Sequence, residues 1–219
     1  MKVYEIFSSI NGEVSGRIYQ GRMCTFLRLA GCNLKCKYCD TKKSRPLDSG
    51  GDVSIKEIAD RIIELDNPYI TITGGEPGLQ IKEIHKLINY LHKKNSDFQF
   101  ILETNGSIRF SRGLMGLFQA IVMDYKLPSS GMESKMNLEN FDFLSPDLDI
   151  VKFVIQDKKD FDRALEVRNH LKEKTNIEDF AFSPSHEKLS AKELYNWLKK
   201  AKINDAILNV QIHKLIGLR

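Results

Sequence analysis

Residues 69–94 read YITITGGEPGLQIKEIHKLINYLHKK. The opening Tyr69–Thr73 is rich in β-branched and aromatic side chains, which suits a pleated strand. Gly74 and Gly75 then allow a sharp bend or a close backbone approach. From Gln80 to Lys94 the apolar residues Ile81, Ile84, Leu87, Ile88 and Leu91 recur at helical spacing, with His85 on the same stripe. A strand, a tight turn and an amphipathic helix make half of a βαβ unit.

The same alternation extends along the chain. Candidate strands are Cys24–Leu29, Phe98–Glu103, Ala120–Asp124, Asp149–Ile155, Phe180–Ser183 and Ile207–Ile212. Candidate helices are Ser54–Leu65, Lys159–Glu173 and Ala191–Ala201, and Ser54 with Glu57 has the spacing of a capping box. Such alternation predicts a largely parallel sheet with right-handed crossovers. A complete eightfold barrel takes about 250 residues. With 219 residues and four crossover helices, the expected fold is α/β, an incomplete TIM-type barrel of parallel strands. The segments Ile10–Met23, Asp40–Asp52 and Lys126–Asp147 lack periodicity and read as loops, where folds of this kind hold their chemistry at the carboxyl ends of the strands. Nothing resembling a repeat or linker divides the chain, so residues 1–219 are expected to form a single domain.

A composition of 42% hydrophobic and 28% charged residues is that of a globular protein, not of a disordered or fibrous chain. The net charge of +4 is compatible with an anionic small substrate and falls short of a nucleic-acid binder's basic stripe. MKVYEIFSSINGE has no signal-peptide pattern, and no apolar run reaches membrane-spanning length, so a cytoplasmic protein without a membrane partner is expected. In a reducing compartment clustered cysteines serve metal or redox chemistry more often than disulfides.

Three of the four cysteines lie in GCNLKCKYCDT, residues 31–41. Cys32, Cys36 and Cys39 have C-x3-C-x2-C spacing, and no second C-x-x-C or H-x3-H partner exists to close a four-ligand zinc site. A 4Fe-4S cluster takes thiolates on its irons. Three thiolates leave one iron open to a non-protein ligand. A partial zinc knuckle, or three unrelated thiols, is the plain alternative. Cys24, in the strand MCTFLRLA, reads as a buried small residue or a further ligand.

This spacing, with Tyr38 before the last cysteine, resembles the signature of radical S-adenosylmethionine enzymes. That resemblance implies that S-adenosylmethionine fills the open iron and is cleaved to a 5′-deoxyadenosyl radical. The flanking segments are more selective. EIFSSINGE, FLRLAGCNLKCKYCDT, TGGEP, LETNG, DYKLPSSGM and the terminal QIHK correspond in order to segments of the 7-carboxy-7-deazaguanine synthase family. The resemblance spans nearly the whole chain.

By that resemblance, Ile10, Asn11, Gly12 and Glu13 would meet the pterin edge, Arg28 would pair with the substrate carboxylate, and Thr73 and His213 would lie against substrate. Gly74, Gly75 and Glu76 of the GGEP turn, together with Tyr38, Glu103, Thr104, Asn105, Lys126, Ser129 and Ser130, would bind S-adenosylmethionine. Cys32, Cys36 and Cys39 would hold the cluster, and Thr41 would give an oxygen to Mg²⁺, a hard cation that takes few protein ligands. Plain readings stand beside these: Arg28 as half of an internal ion pair, Thr41 as a cap, Asn105–Gly106 and Ser129–Gly131 as turns, and His213 as a satisfied edge histidine. Asn11 and Val14 depart from the family's QGEG opening, and Val14 cannot take the positive φ that glycine takes. The implied activity is a carbon–nitrogen lyase acting on a carboxypterin on the way to queuosine or archaeosine. The implied partners are an electron donor such as flavodoxin or ferredoxin and a second copy in a homodimer, with no direct nucleic-acid contact. The same cysteine spacing serves glycyl-radical activating enzymes, which act on a protein, and a non-catalytic iron–sulfur or zinc module is a further alternative.

Overall fold

The computed structural model describes residues 1–14, 19–185 and 188–218; residues 15–18 of the expected loop Ile10–Met23 lie outside the described residues. Nine strands are described: β1 (Lys2–Ile10), β2 (Met23–Leu29), β3 (Gly51–Asp52), β4 (Tyr69–Gly74), β5 (Gln99–Thr104), β6 (Ala120–Tyr125), β7 (Ile150–Ile155), β8 (Phe180–Pro184) and β9 (Ala206–Leu208). The helices are α1 (Ile55–Glu64), α2 (Ile81–Lys94), α3 (Arg112–Met115), α4 (Lys158–Lys174), α5 (Ala191–Lys200) and α6 (Ile212–Leu215). The strands form one sheet in the order β3-β1-β2-β4-β5-β6-β7-β8-β9. From β2 to β9 in that order every neighbouring pair is parallel, while β1 runs antiparallel to β2 and to β3. The barrel is therefore partial, with β3 and β9 as its open edges.

Alternation along each strand explains the layering. Leu27, Leu29, Ile70, Ile72, Phe100, Leu102, Val151 and Phe153 join one core with Ile58, Ile62, Ile84, Leu87 and Leu91 from α1 and α2. The alternate positions face the barrel interior. Its floor is apolar, with Ile101, Ala120 and Val122 packed as a second small cluster. Above that floor the same phase carries Arg28, Thr73, Glu103, Asp124, Lys152 and Ser183, which line a cavity.

The expected capping box of α1 is present: Glu57 N donates to Ser54 Oγ at 3.2 Å and Ser54 N to Glu57 Oε2 at 2.9 Å. Two expectations need correction. β1 falls in a stretch with no predicted strand, because its half-buried pattern lacks a continuous apolar run. The last strand was expected over Ile207–Ile212 and stops at Leu208. Asn209 ends it: its N donates to Phe182 O at 3.0 Å while its side chain turns inward to Ser183 Oγ at 2.9 Å. Ile212 instead opens α6. Among the described residues no helix is long and apolar enough to cross a membrane.

Candidate active site

The loop after β2 is closed at its base by Gly31 N donating to Ser44 O and Cys32 N to Arg45 O, both at 2.9 Å. Between those bonds Cys32, Cys36 and Cys39 line a cavity of about 730 Å³ at the carboxyl ends of the strands. All three thiols are free. Two donors reach Cys32 Sγ: Leu34 N at 3.4 Å and Asn105 Nδ2 at 3.8 Å. Burial raises the Cys32 and Cys36 thiols above their ordinary range, so their thiolates call for a strong positive partner. Among the described residues no three His, Cys, Asp or Glu side chains converge on a single metal ion. Three thiols on one cavity wall, with N–H donors to sulfur, fit a multi-iron cluster. Cys24 is fully buried beneath the site, and burial pushes its thiol up to about 12. It does not line the cavity.

Gly74 and Gly75 explain how β4 can meet this loop. Gly75 N donates to Leu29 O at 2.9 Å and Glu76 N to Gly31 O at 2.7 Å. A Cβ on Gly74, whose φ is +124°, would come within 2.3 Å of the Leu29 backbone. One on Gly75 would fall 1.8 Å from Gly31 O. The glycine pair thus sets the distance between β4 and the cysteine loop, whatever ligand it also meets.

Five residues expected to touch ligand lie outside the cavity lining. Glu76 is fully buried, and its carboxylate accepts from Gly78 N at 2.8 Å, Thr104 Oγ1 at 2.7 Å and Asn105 N at 2.7 Å. It ties the turn after β4 to the turn after β5 and thereby aims Asn105 at Cys32. Ile10 pairs with Met23 at the end of β1. Asn11 Nδ2 donates to Glu13 O at 2.8 Å and shapes the loop. Ser129 N donates to Asp160 Oδ1 at 2.9 Å and Ser130 Oγ to Leu127 O at 2.6 Å, so both serve the turn after β6, which Ser129 ties to the first turn of α4.

The remaining expected residues surround one space. Gly12 and Glu13 enter from the loop after β1, where the His213 ring packs so closely that a Cβ on Gly12 would lie 2.9 Å from Nδ1. Arg28 donates from Nε to Glu5 Oε1 at 2.8 Å, and its guanidinium also faces the cavity. Thr73 Oγ1 donates to Glu103 Oε2 at 2.8 Å. Thr41 Oγ1 is 3.8 Å from Cys39 Sγ, and no side-chain cap bond occupies it. The Tyr38 hydroxyl is buried with no hydrogen-bond partner among the described residues, and burial raises its pKa.

Sequence reasoning missed the charges that organise this space. Lys152 of β7 contacts Glu13 Oε1 at 2.8 Å and Asp124 Oδ1 at 3.2 Å, and Asp124 also pairs with Lys126. Asn209 Nδ2 donates to Glu13 Oε2 at 2.6 Å, so both carboxylate oxygens of Glu13 are held. Gln20 Nε2 donates to Gly12 O at 2.8 Å and to Val210 O at 2.6 Å, linking that loop to the C-terminal segment. Burial opposes ionisation of Asp124, but Lys126 and Lys152 more than offset it and hold its carboxyl below the usual range. Glu103 goes the other way: burial, then the charge of Glu13, push it up to about 7. The signal was visible, since Lys152 and Asp124 are lone charges on the same strand phase as Glu103.

Comparison with known proteins agrees with this geometry. The Radical SAM superfamily profile matches residues 27–116. The 7-carboxy-7-deazaguanine synthase of Clostridium acetobutylicum is 40% identical, over 98% of this chain and 95% of its own. That of Leptospira interrogans is 34% identical, over 98% and 94% respectively. The crystal structure of QueE from Escherichia coli superposes with a TM-score of 0.67 at 19% identity, covering 96% of this chain and 93% of that one, which shows a shared fold. This chain is therefore a member of the 7-carboxy-7-deazaguanine synthase family, within the radical SAM superfamily, whose cofactors are a 4Fe-4S cluster and S-adenosylmethionine.

Proposed function

We propose that the chain, as a single domain, converts 6-carboxy-5,6,7,8-tetrahydropterin to 7-carboxy-7-deazaguanine with loss of ammonia, in the cytoplasmic synthesis of queuosine or archaeosine. The observation that carries this reading is the convergence of the cluster thiols and the charged strand-end residues on one cavity. When bound, the cluster and S-adenosylmethionine supply a 5′-deoxyadenosyl radical for hydrogen abstraction.

Each residue then has a role suited to its chemistry. Arg28 pairs with the substrate carboxylate through its planar guanidinium. Glu13, fixed by Lys152 and Asn209, and the Gly12 backbone receive the amine-bearing edge of the pterin. The Thr73–Glu103 pair meets the ring, and His213 covers Gly12. Gly74, Gly75, Thr104, Asn105, Lys126 and the unpartnered Tyr38 hydroxyl face S-adenosylmethionine, with Glu76, Ser129 and Ser130 supporting them from behind. Thr41 would give its hydroxyl to Mg²⁺, which would help to orient the substrate carboxylate and offset its charge. Enclosure on the strand ends keeps water from a reactive radical. Reduction comes from a small one-electron carrier, and the working form is a homodimer.

Anaerobic incubation with iron, sulfide, reductant, S-adenosylmethionine and the carboxypterin is expected to release the deazaguanine. Release of 5′-deoxyadenosine alone would point to an activase, and neither product would point to a binding module. Thr41→Ala is expected to keep iron content and lose Mg²⁺ stimulation; an unchanged Mg²⁺ response removes that role.

Glu103 makes the site pH-sensitive. Its ionised form accepts hydrogen bonds from pterin N–H groups, and it titrates near 7. Pterin affinity, measured by calorimetry on cluster-free protein, is expected to rise between pH 6 and pH 8. Glu103→Gln should bind about 10- to 100-fold more weakly at pH 8, as for a lost charge-assisted hydrogen bond, with little pH dependence. A variant that keeps the wild-type pH profile assigns the titration elsewhere.

A further inference from the structure

One edge of the sheet carries β3 and β1 and the other ends at β9, so no backbone ladder closes the barrel among the described residues. Side chains cross that gap instead. Glu13, three residues past β1, reaches Lys152 of β7 at 2.8 Å and Asn209, the residue after β9, at 2.6 Å. Asn209 is fully buried, and its side-chain amide is wholly engaged. Nδ2 donates to Glu13 Oε2 and, at 2.9 Å, to Ser183 Oγ, while Oδ1 accepts from Gln20 Nε2 at 3.2 Å. Its backbone N donates to Phe182 O at 3.0 Å, so the residue is anchored at both ends. Gln20 Nε2 also donates to Gly12 O at 2.8 Å and Val210 O at 2.6 Å, joining the residue before Glu13 to the residue after Asn209.

These contacts limit what Glu13 can still bind. A carboxylate has about four lone-pair sites, and Lys152 and Asn209 take one on each oxygen. One site per oxygen is left for a ligand in the cavity that Glu13 lines. Two adjacent acceptors match an edge that presents two N–H groups side by side, such as the ring N–H and the amine of a 2-aminopyrimidinone. A carbonyl in place of that amine sets acceptor against acceptor, and a buried polar group left unpaired is costly. A freely rotating carboxylate would turn one oxygen away and lessen that cost. Asn209 and Lys152 prevent the rotation.

We propose that Asn209 and Gln20 are specificity-determining positioning residues, which hold Glu13 as a rigid double acceptor that admits a 2-amino pteridine and rejects its 2-oxo counterpart. Neither lines the cavity, so both act through Glu13 and its loop. Asn209 fixes the carboxylate directly, and Gln20 fixes the backbone that carries it. The proposal rests on Glu13 meeting the pterin edge in the proposed reaction and adds what makes that contact selective. Sites built to hydrogen-bond a particular polar group discriminate strongly against an analogue that lacks it, provided the site cannot rearrange.

The probes are 6-carboxypterin and 6-carboxylumazine, which bear an amine and a carbonyl respectively at position 2. Their affinities are measured by calorimetry at pH 7 on the anaerobically reconstituted full chain, with S-adenosylmethionine and no reductant. The wild type is expected to prefer the pterin about 100-fold or more. Asn209→Leu, which removes the donor at similar volume, is expected to cut that preference about tenfold, and Gln20→Met about threefold. A merely structural role would weaken both ligands in proportion and leave their ratio unchanged. The wild-type ratio in both variants therefore overturns the proposal, however far the two affinities fall together. A ratio that falls in one variant alone removes the other residue from it. Gln20 is only half-buried, so Gln20→Met decides the matter if Asn209→Leu does not fold. A wild type that binds the two ligands equally, or neither, rejects the role given to Glu13 in the proposed reaction and this proposal with it. A wild type that is selective beside variants that stay selective rejects the positioning proposal alone.

Discussion

Gly75→Ala is expected to purify with less than about a tenth of the wild-type iron and to melt roughly 10 °C lower. The added Cβ would lie 1.8 Å from Gly31 O, 2.4 Å from Gly31 C and 3.0 Å from Cys32 N. All three are backbone atoms, so no rotamer change relieves the clash. The turn after β4 must retreat, which breaks the 2.7 Å bond from Glu76 N to Gly31 O and the 2.9 Å bond from Gly75 N to Leu29 O. Overpacking costs about 1–3 kcal/mol and each lost bond about 1 kcal/mol more, and 1 kcal/mol corresponds to roughly 2–4 °C at this chain length. The iron loss follows because the segment those two bonds hold in place, Leu29–Gly31, leads directly into Cys32. Gly113→Ala is the control: nothing lies within 4 Å of a Cβ there, and the position is an exposed residue of α3. It should leave iron content and melting essentially unchanged. Calorimetry and iron analysis on the two variants check both halves, and wild-type iron in Gly75→Ala would contradict the role given to the glycine pair.

The second large effect is expected from Lys152→Met. Lys152 contacts Glu13 at 2.8 Å and Asp124 at 3.2 Å with only 12% of its side chain exposed. Removing one partner of a buried ionic network leaves uncompensated charge and costs roughly 3–5 kcal/mol. The pH dependence should reveal the cause. In the wild type the Asp124 carboxyl is held below its ordinary value, so its contribution is present above that value and is lost only in acid. Lys152 is raised well above its ordinary value, so its contribution persists until alkaline pH. Without the lysine, Glu103, which is already pushed up to about 7, and Asp124, which Lys152 helps to hold low, lose a cation, and both carboxyls shift upward in the folded state. Stability then belongs to the protonated carboxyls and falls as pH rises. Denaturant titrations should therefore show the largest deficit at pH 8 and a partial recovery at pH 5.5. An equal deficit at both pH values would mean that lost packing, not charge, is responsible.

These two variants probe what was and was not legible in the sequence. The strand, glycine turn and helix of residues 69–94 were readable locally, since each element is specified by its own spacing and the turn chemistry joins them. The cysteines and GGEP were readable for the same reason. Lys152 was passed over because a single lysine in IVKFVI looks like an exception to an apolar strand, and its partner Glu13 is 139 residues away. Asn209 and Glu13 are separated by 196 residues, so no local window links them. β1 was missed because an antiparallel partner at the barrel edge supports it while its own hydrophobic pattern is weak. Glu76 lies in the expected neighbourhood but plays a different part, because its carboxylate bonds Gly78, Thr104 and Asn105 from behind and leaves the facing wall to Thr104 and Asn105. Sequence spacing finds groups near a site, and only packing decides which of them turn toward it.

The central claim is that three thiols bind a cluster and leave one iron for S-adenosylmethionine. Electron paramagnetic resonance of the reconstituted, reduced protein, recorded with and without S-adenosylmethionine, tests it most directly. The expected result is about four irons and four sulfides per chain, a reduced-cluster signal whose shape changes when S-adenosylmethionine is added, and loss of both in Cys36→Ala. A tightly held zinc ion in their place, or a cluster signal indifferent to S-adenosylmethionine, would contradict it.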